Sequence, residues 1–147
     1  MALYRKLLCV VDLDDEATSI ARRALEVARL SGGDVQLLHV FEFVPVEPMG
    51  ETLMPAVQIE EELLARARQR LLDLAGEVGL PASATRVESG GIKGEIIRVA
   101  REIAADLIVI GSRERHGVSI LVNLTEDTVL HQAPCDVLAV RIAGGRG

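Results

Sequence analysis

Apolar residues fall into short continuous runs separated by stretches with helical spacing. Leu7–Val11 is too short for a helix, ends at Asp12 and carries no polar alternation. It therefore reads as a strand covered on both faces, the mark of a parallel sheet. Asp14 or Asp15 offers a cap for a following helix, with Glu16 in its first turn. Ile20, Ala24, Val27, Ala28 and Ser31 continue at helical spacing until Gly32-Gly33 stops them. Val35–Val40 is the second buried strand. A loop from Phe41 to Pro55 follows, broken by Pro45, Pro48 and Gly50, and its length is itself a sign of function.

Pro55 suits a first helical turn, and the stripe Leu64, Ala67, Leu71, Ala75 and Val78 predicts a long helix ending before Gly79 and Pro81. Glu62 and Arg66 stand four apart on its outer face, the spacing of an ion pair. Ser83–Val87 reads as a weaker strand near an edge. The turn Gly90–Gly94 leads into a helix with the stripe Ile96, Ile97, Ala100, Ile103 and Ala104, then the strand Leu107–Ile110. A second long connection runs from Gly111 to Asn123. Asn123 and Glu126 have capping-box spacing for a short helix to about His131. After Pro134, Val137–Val140 forms the fifth strand, and 143–147 reads as a flexible tail behind an ordered core of about 4–141. Neither an internal repeat nor a linker divides residues 1–147, so one domain is expected.

Five strands alternating with four helices predict an α/β fold, a doubly wound parallel sheet with helices on both faces. Ligands in such sheets bind beyond the carboxyl ends of the strands, where strand order reverses. Asp12, the segment after Val40 and the stretch after Ile110 are the positions that matter. The composition fits this picture: 147 residues are 49% hydrophobic but only 2% aromatic, so the core is aliphatic. A net charge of −6 with no run of Lys or Arg, and so few aromatic platforms, argues against a nucleic-acid partner. Cys9 and Cys135 have no CxxC spacing and read as core residues of a reduced protein. No signal-like or membrane-length apolar segment stands out, so a cytoplasmic protein without a membrane partner is expected.

Familiar chemistry is largely missing. The chain has no GxGxxG after the first strand, no GxxxxGK[ST] and no Gly-x-Ser-x-Gly elbow. Ser31–Asp34 resembles a fragment of a pyrophosphatase loop but follows a helix, where its glycines act as a helix stop. His39, His116 and His131 are too scattered for a metal site, and His39 reads as a satisfied core histidine. No metal and no catalytic residue is expected. Asp12 has two readings, a ligand for a ribose hydroxyl or adenine amine and a cap for the next turn.

Val10–Asp12, Leu37–Val40, Ala105–Gly111, Val109–Thr125 and Ala133–Val140, in this order and spacing, closely resemble the universal stress protein family. The resemblance runs from about Tyr4 to Arg141. It implies sheet order 3-2-1-4-5 and a cytoplasmic, stress-induced homodimer joined through the fifth strand, here Val137, Leu138, Ala139 and Val140. Members that bind ATP carry Gly-x2-Gly-x9-Gly-[Ser/Thr] after the fourth strand. Laid onto this chain, the pattern keeps Gly111 and Thr125 but places Glu114 and Leu124 where two glycines belong. Glu126 and Asp127 then occupy the helix start that would face the phosphates. Gly91–Ile97 also looks like the universal stress protein A subgroup, which lacks the intact pattern. The expectation is a non-catalytic interaction module with weak or no ATP binding, no required cofactor, and itself or a further protein as partner. The alternative keeps ATP or AMP in the cleft, with Asp12 and the Val40 backbone reading the nucleoside and Gly111, Arg113, Gly117 and Thr125 meeting phosphates.

Overall fold

The computed structural model describes residues 3–42, 54–113 and 129–142. The chain runs β1 (Lys6–Val10), α1 (Ala17–Ser31), β2 (Asp34–Phe41), α2 (Met54–Val78), a 3-10 turn at Ala82–Ala84, β3 (Thr85–Ser89), α3 (Ile92–Glu102), β4 (Leu107–Arg113) and β5 (Asp136–Ile142). Residues 129–132 are helical and precede β5. All four strand pairings are parallel, in the order β3-β2-β1-β4-β5. The alternating runs thus fold as expected, and the cores on either face explain why the strands show no polar alternation. On one face Leu7, Cys9, Leu37, Leu107 and Val109 pack under Ile20, Ala24 and Leu71 of α1 and α2. On the other, Leu8, Leu38, Ile108 and Ile110 pack under Ile96, Val99 and Ala100 of α3, with Val129 beside them. Each large aliphatic side chain so buried contributes about 1.5–3 kcal/mol.

Local chemistry sets the ends. Gly32 closes α1 in a left-handed conformation, φ 80°, donating its N–H to the Ala28 carbonyl at 2.8 Å. A Cβ on Gly33 would lie 2.2 Å from the Tyr4 carbonyl oxygen, so only glycine lets the chain pass there. Asp106 ties the amino ends of the strands together, accepting from the Arg5 N–H at 2.9 Å and the Lys6 N–H at 3.0 Å.

Several boundaries differ from the sequence reading. Neither Asp14 nor Asp15 is the N-cap: Glu16 takes that position, and Asp14 Oδ1 instead accepts the Glu16 N–H at 3.0 Å in the turn before α1. Residues 82–84 form the 3-10 turn, and β3 starts only at Thr85. Ala104 is exposed beyond α3 at φ 55°, so it leaves the stripe. Glu62 and Arg66 form no ion pair between them. β4 does not stop at Ile110: Gly111, Ser112 and Arg113 extend it against Val140, Arg141 and Ile142. The expected capping box at Asn123 and Glu126, most of the loop from Phe41 to Pro55 and the tail 143–147 lie outside the described residues.

Candidate functional site

Strand order reverses at β1, which lies between β2 and β4. β1 ends at Val10, opposite Leu38, while β2 continues to Phe41. On the other side Cys9 pairs with Val109, and β4 runs on to Arg113. Each flanking strand therefore outlasts β1 by three residues. At about 3.3 Å per residue and about 4.8 Å between strands, the described strands outline a notch whose walls run roughly 10 Å past β1 with their axes roughly 10 Å apart. It lies at the place where open α/β sheets bind ligands.

The floor of the notch is pinned from three sides. The Val11 N–H donates to the Leu38 carbonyl at 2.9 Å. His39 Nδ1 lies 2.9 Å from the Val11 carbonyl oxygen, an acceptor only, so the ring carries its proton on Nδ1 there. His39 is thus satisfied as expected, though half-buried rather than in the core. From α2, the Arg70 guanidinium donates to the Leu13 carbonyl. The turn closes with the Asp14 N–H donating to the Asp12 carbonyl at 2.9 Å. Asp12 itself is exposed, and its carboxylate has no partner among the described residues. Since Asp14 supplies the turn's side-chain acceptor, the capping reading of Asp12 loses its purpose.

Successive residues of a strand present their backbone groups to opposite neighbours. The Leu38 carbonyl accepts from Val11, whereas the Phe41 carbonyl accepts from Gly90 on the β3 side. By alternation the N–H and C=O of Val40 point the same way as those of Leu38, into the notch. The Asp106 N–H donates toward β1, to the Lys6 carbonyl. Counting along β4, Ser112 opens into the notch while Gly111 turns its backbone groups to β5, opposite Val140.

Gly111 also has a packing role. A Cβ there would stand 2.5 Å from Ile142 Cδ1 and 2.7 Å from Ile20 Cδ1, so glycine makes room for the α1–β5 contact. Asp12 thus follows the end of β1, and Val40 and Ser112 lie on the strands either side of it beyond that end. Ser112 was missed in the sequence because the direction of a backbone group depends on ladder parity, which Gly111 alone does not reveal. Arg113 ends β4, and its side chain lies outside the described residues. Gly117 and Thr125, with Glu114, Leu124, Glu126 and Asp127, lie outside them as well.

The two sheet edges differ in character. On β3, Arg86 meets Glu88 at 2.6 Å and Glu102 at 2.8 Å, and Arg98 of α3 bridges Glu88, Glu95 and Glu102. The edge is thus lined with fixed charge, a common way to blunt pairing. On β5, the run Val137–Val140 carries no charge. Val137 and Leu138 rest half-buried against the two cores, Val140 is buried and Ala139 is exposed.

The chain matches the family model described as the universal stress protein family over residues 3–141. It is 34% identical over 138 residues to universal stress protein A homolog 1 of Coxiella burnetii, covering 93% of this chain and 96% of that protein. Homolog 2 of the same organism is 32% identical over 142 residues, covering 96% of this chain and 97% of its own. Among solved structures, a functionally unknown Pseudomonas aeruginosa protein superposes with a TM-score of 0.71 at 25% identity. That match covers 93% of this chain and 47% of the other, so this chain spans about half of that protein's length. A universal stress protein solved in complex with cAMP gives a TM-score of 0.60 at 22% identity, covering 93% of this chain and 96% of that one, a likeness of fold.

Proposed function

Since the chain belongs to the universal stress protein family, we propose that it works without catalysis, as a homodimeric interaction module in stress responses whose copies pair along β5. The contrast between the sheet edges carries this reading. The β3 edge is guarded by five interlocked charged side chains, while the uncharged run Val137–Val140 of β5 pairs, among the described strands, with β4 on one side only. Two copies pairing across a two-fold axis satisfy those groups and cover the apolar run. Ala139 is the test position because it is exposed. Leu138, by contrast, rests on the core, and its replacement would damage the fold as well. Light scattering is expected to give a dimer for the wild type and a monomer for Ala139→Lys, with unchanged far-ultraviolet circular dichroism. A variant of undiminished mass would remove β5 from the interface.

A second reading, favoured by the notch, is an adenine nucleotide held between β2 and β4. Asp12 and the Val40 backbone would read the nucleoside, with Ser112 beside them. The charge of the following segment limits the phosphates. Glu114, Glu126 and Asp127 fall where the family's ATP binders place glycine and an open helix start. Each like-charge contact near 4 Å costs about 1 kcal/mol in water and about 4 kcal/mol where water is partly excluded. AMP suits such a mouth better than ATP. Calorimetric titration with each nucleotide, with and without magnesium, is expected to show AMP binding at least as tightly as ATP. Submicromolar ATP binding would overturn the electrostatic argument. Exchanging Glu114 and Leu124 for Gly, and Glu126 and Asp127 for neutral residues, is expected to raise ATP affinity.

A further inference from the structure

α2 is 25 residues long and α1 only 15. The two meet where Arg70 reaches Leu13 and Thr18 faces Glu77, so more than ten residues of α2 extend past the start of α1. Among the described side chains of α2, burial begins only at Ala67. Ile59 is 50% exposed at the start of this arm, followed by Glu60, Glu61 and Glu62. The outer face of α1 has the opposite sign: Arg22, Arg23 and Arg29 against one glutamate, Glu26, in a chain of net charge −6. Arg23 pairs with Glu26 at 3.4 Å, whereas Arg22 and Arg29 have no ion partner among the described residues. These arginines border a groove of about 640 Å³ beside Leu25 and Val78. Next to Arg29 in sequence, Leu30 is 79% exposed.

The charges also run in opposite order along the two segments. The exposed Asp15 lies in the turn before α1 and the exposed Arg22 lies on α1 itself, whereas along α2 the exposed Glu61 precedes the exposed Arg68 by seven residues. On α2 seven residues are two helical turns, about 10 Å, which keeps Glu61 and Arg68 on one side. Laid antiparallel, Glu61 of one copy meets Arg22 of another while its Arg68 lies toward the turn that holds Asp15. None of these four has an ion partner among the described residues of its own chain. We propose that the groove on α1 receives the projecting acidic arm of α2 from a second copy, building assemblies larger than the β5 pair. Each copy offers one groove and one arm, so the contact either closes reciprocally between two copies or propagates into chains or rings.

Light scattering of the full chain tests this at about 20 mM salt, where charges act over long range, and at about 500 mM, where the Debye length is only roughly 4 Å. The wild type is expected to show at least twice the mass in the lower salt. Arg22→Glu with Arg29→Glu, and separately Glu61→Lys with Glu62→Lys, is each expected to hold its high-salt mass in both buffers, because groove and arm then carry like charge. Mixed in equal amounts, the two variants present opposite charges again and are expected to regain the low-salt assembly. A wild-type mass independent of salt overturns the proposal, and so does a mixture that stays at its high-salt mass. The high-salt mass reports β5 pairing and the salt-dependent increment reports the helix contact, so the two readings fail separately.

Discussion

Gly111→Ala separates packing from ligand approach at the one glycine kept from the phosphate pattern. The added Cβ would stand 2.5 Å from Ile142 Cδ1 and 2.7 Å from Ile20 Cδ1, against the usual carbon contact of about 3.5–4.0 Å. Both side chains must retreat by about 1 Å or more. They are flexible ends rather than backbone, so the cost falls within the about 1–3 kcal/mol typical of an overpacked core. Replacing glycine in a strand recovers roughly 0.5–1 kcal/mol of backbone entropy. The net destabilisation is therefore expected at about 1–2 kcal/mol. For a domain near this size, that lowers Tm by roughly 2–8 °C. Urea unfolding followed by circular dichroism measures it, and a double-mutant cycle assigns it. Ile142→Val removes the nearer methyl and alone costs about 0.5–1.5 kcal/mol. Combined with Gly111→Ala it relieves the clash, so the double variant is expected to lose less than the sum of the singles. Full additivity, or an unchanged Gly111→Ala, would refute the packing account. AMP affinity is expected to change little, because the backbone of Gly111 faces β5.

Ala104 holds φ 55° just past α3, where an L-residue costs about 1–2 kcal/mol. Ala104→Gly is expected to raise stability by about 0.5–1 kcal/mol after its own entropy loss in the unfolded chain, measured by the same urea titration. Burial pushes the Asp106 carboxyl up, but the amide donors of Arg5 and Lys6 outweigh it and hold it below its ordinary value of 3.8. A lowered carboxylate contributes stability above the ordinary value and loses it as pH falls through the folded one. Thermal unfolding is therefore expected to show a steeper loss from pH 5 to 3 for the wild type than for Asp106→Asn. Burial pushes the Cys9 thiol up to about 12, whereas Cys135 is only half-buried. An aromatic disulfide reagent is expected to label Cys135 alone in the native protein and both thiols in denaturant.

The core was legible because both sheet faces are covered: Leu7–Val11, Val35–Val40 and Leu107–Ile110 admit few other readings, and β1, β2 and β4 contain nearly all of them. The turn before α1 was less so. Asp12, Asp14 and Asp15 are chemically alike, and only the hydrogen bond to Glu16 shows that Asp14 does the local work. Nor does the α2 stripe tell that its first half outruns α1, since helical spacing records which face is turned inward and not what lies opposite.

The notch was the least legible part, for a reason that follows from sheets themselves. Its depth is the difference in length between β1 and its two neighbours. The residues that create that difference carry little apolar signal. Gly111-Ser112-Arg113 reads as the start of a loop, yet it remains a strand because Val140, Arg141 and Ile142 pair with it. Phe41 likewise remains in β2 because Ser89 pairs with it. The walls are thus held by the outer strands β5 and β3, whereas beyond Val11 the segment after β1 has no such strand partner among the described residues. Both proposals therefore draw on β5, whose inner side holds β4 at the wall while its outer side is the proposed seat of a second copy. Dimer formation along β5 should consequently steady the Ser112 side of the notch more than the Val40 side. Amide hydrogen exchange in wild type and Ala139→Lys can compare the two walls, with faster exchange expected at Ile110 to Arg113 in the variant and little change at Leu38 to Phe41.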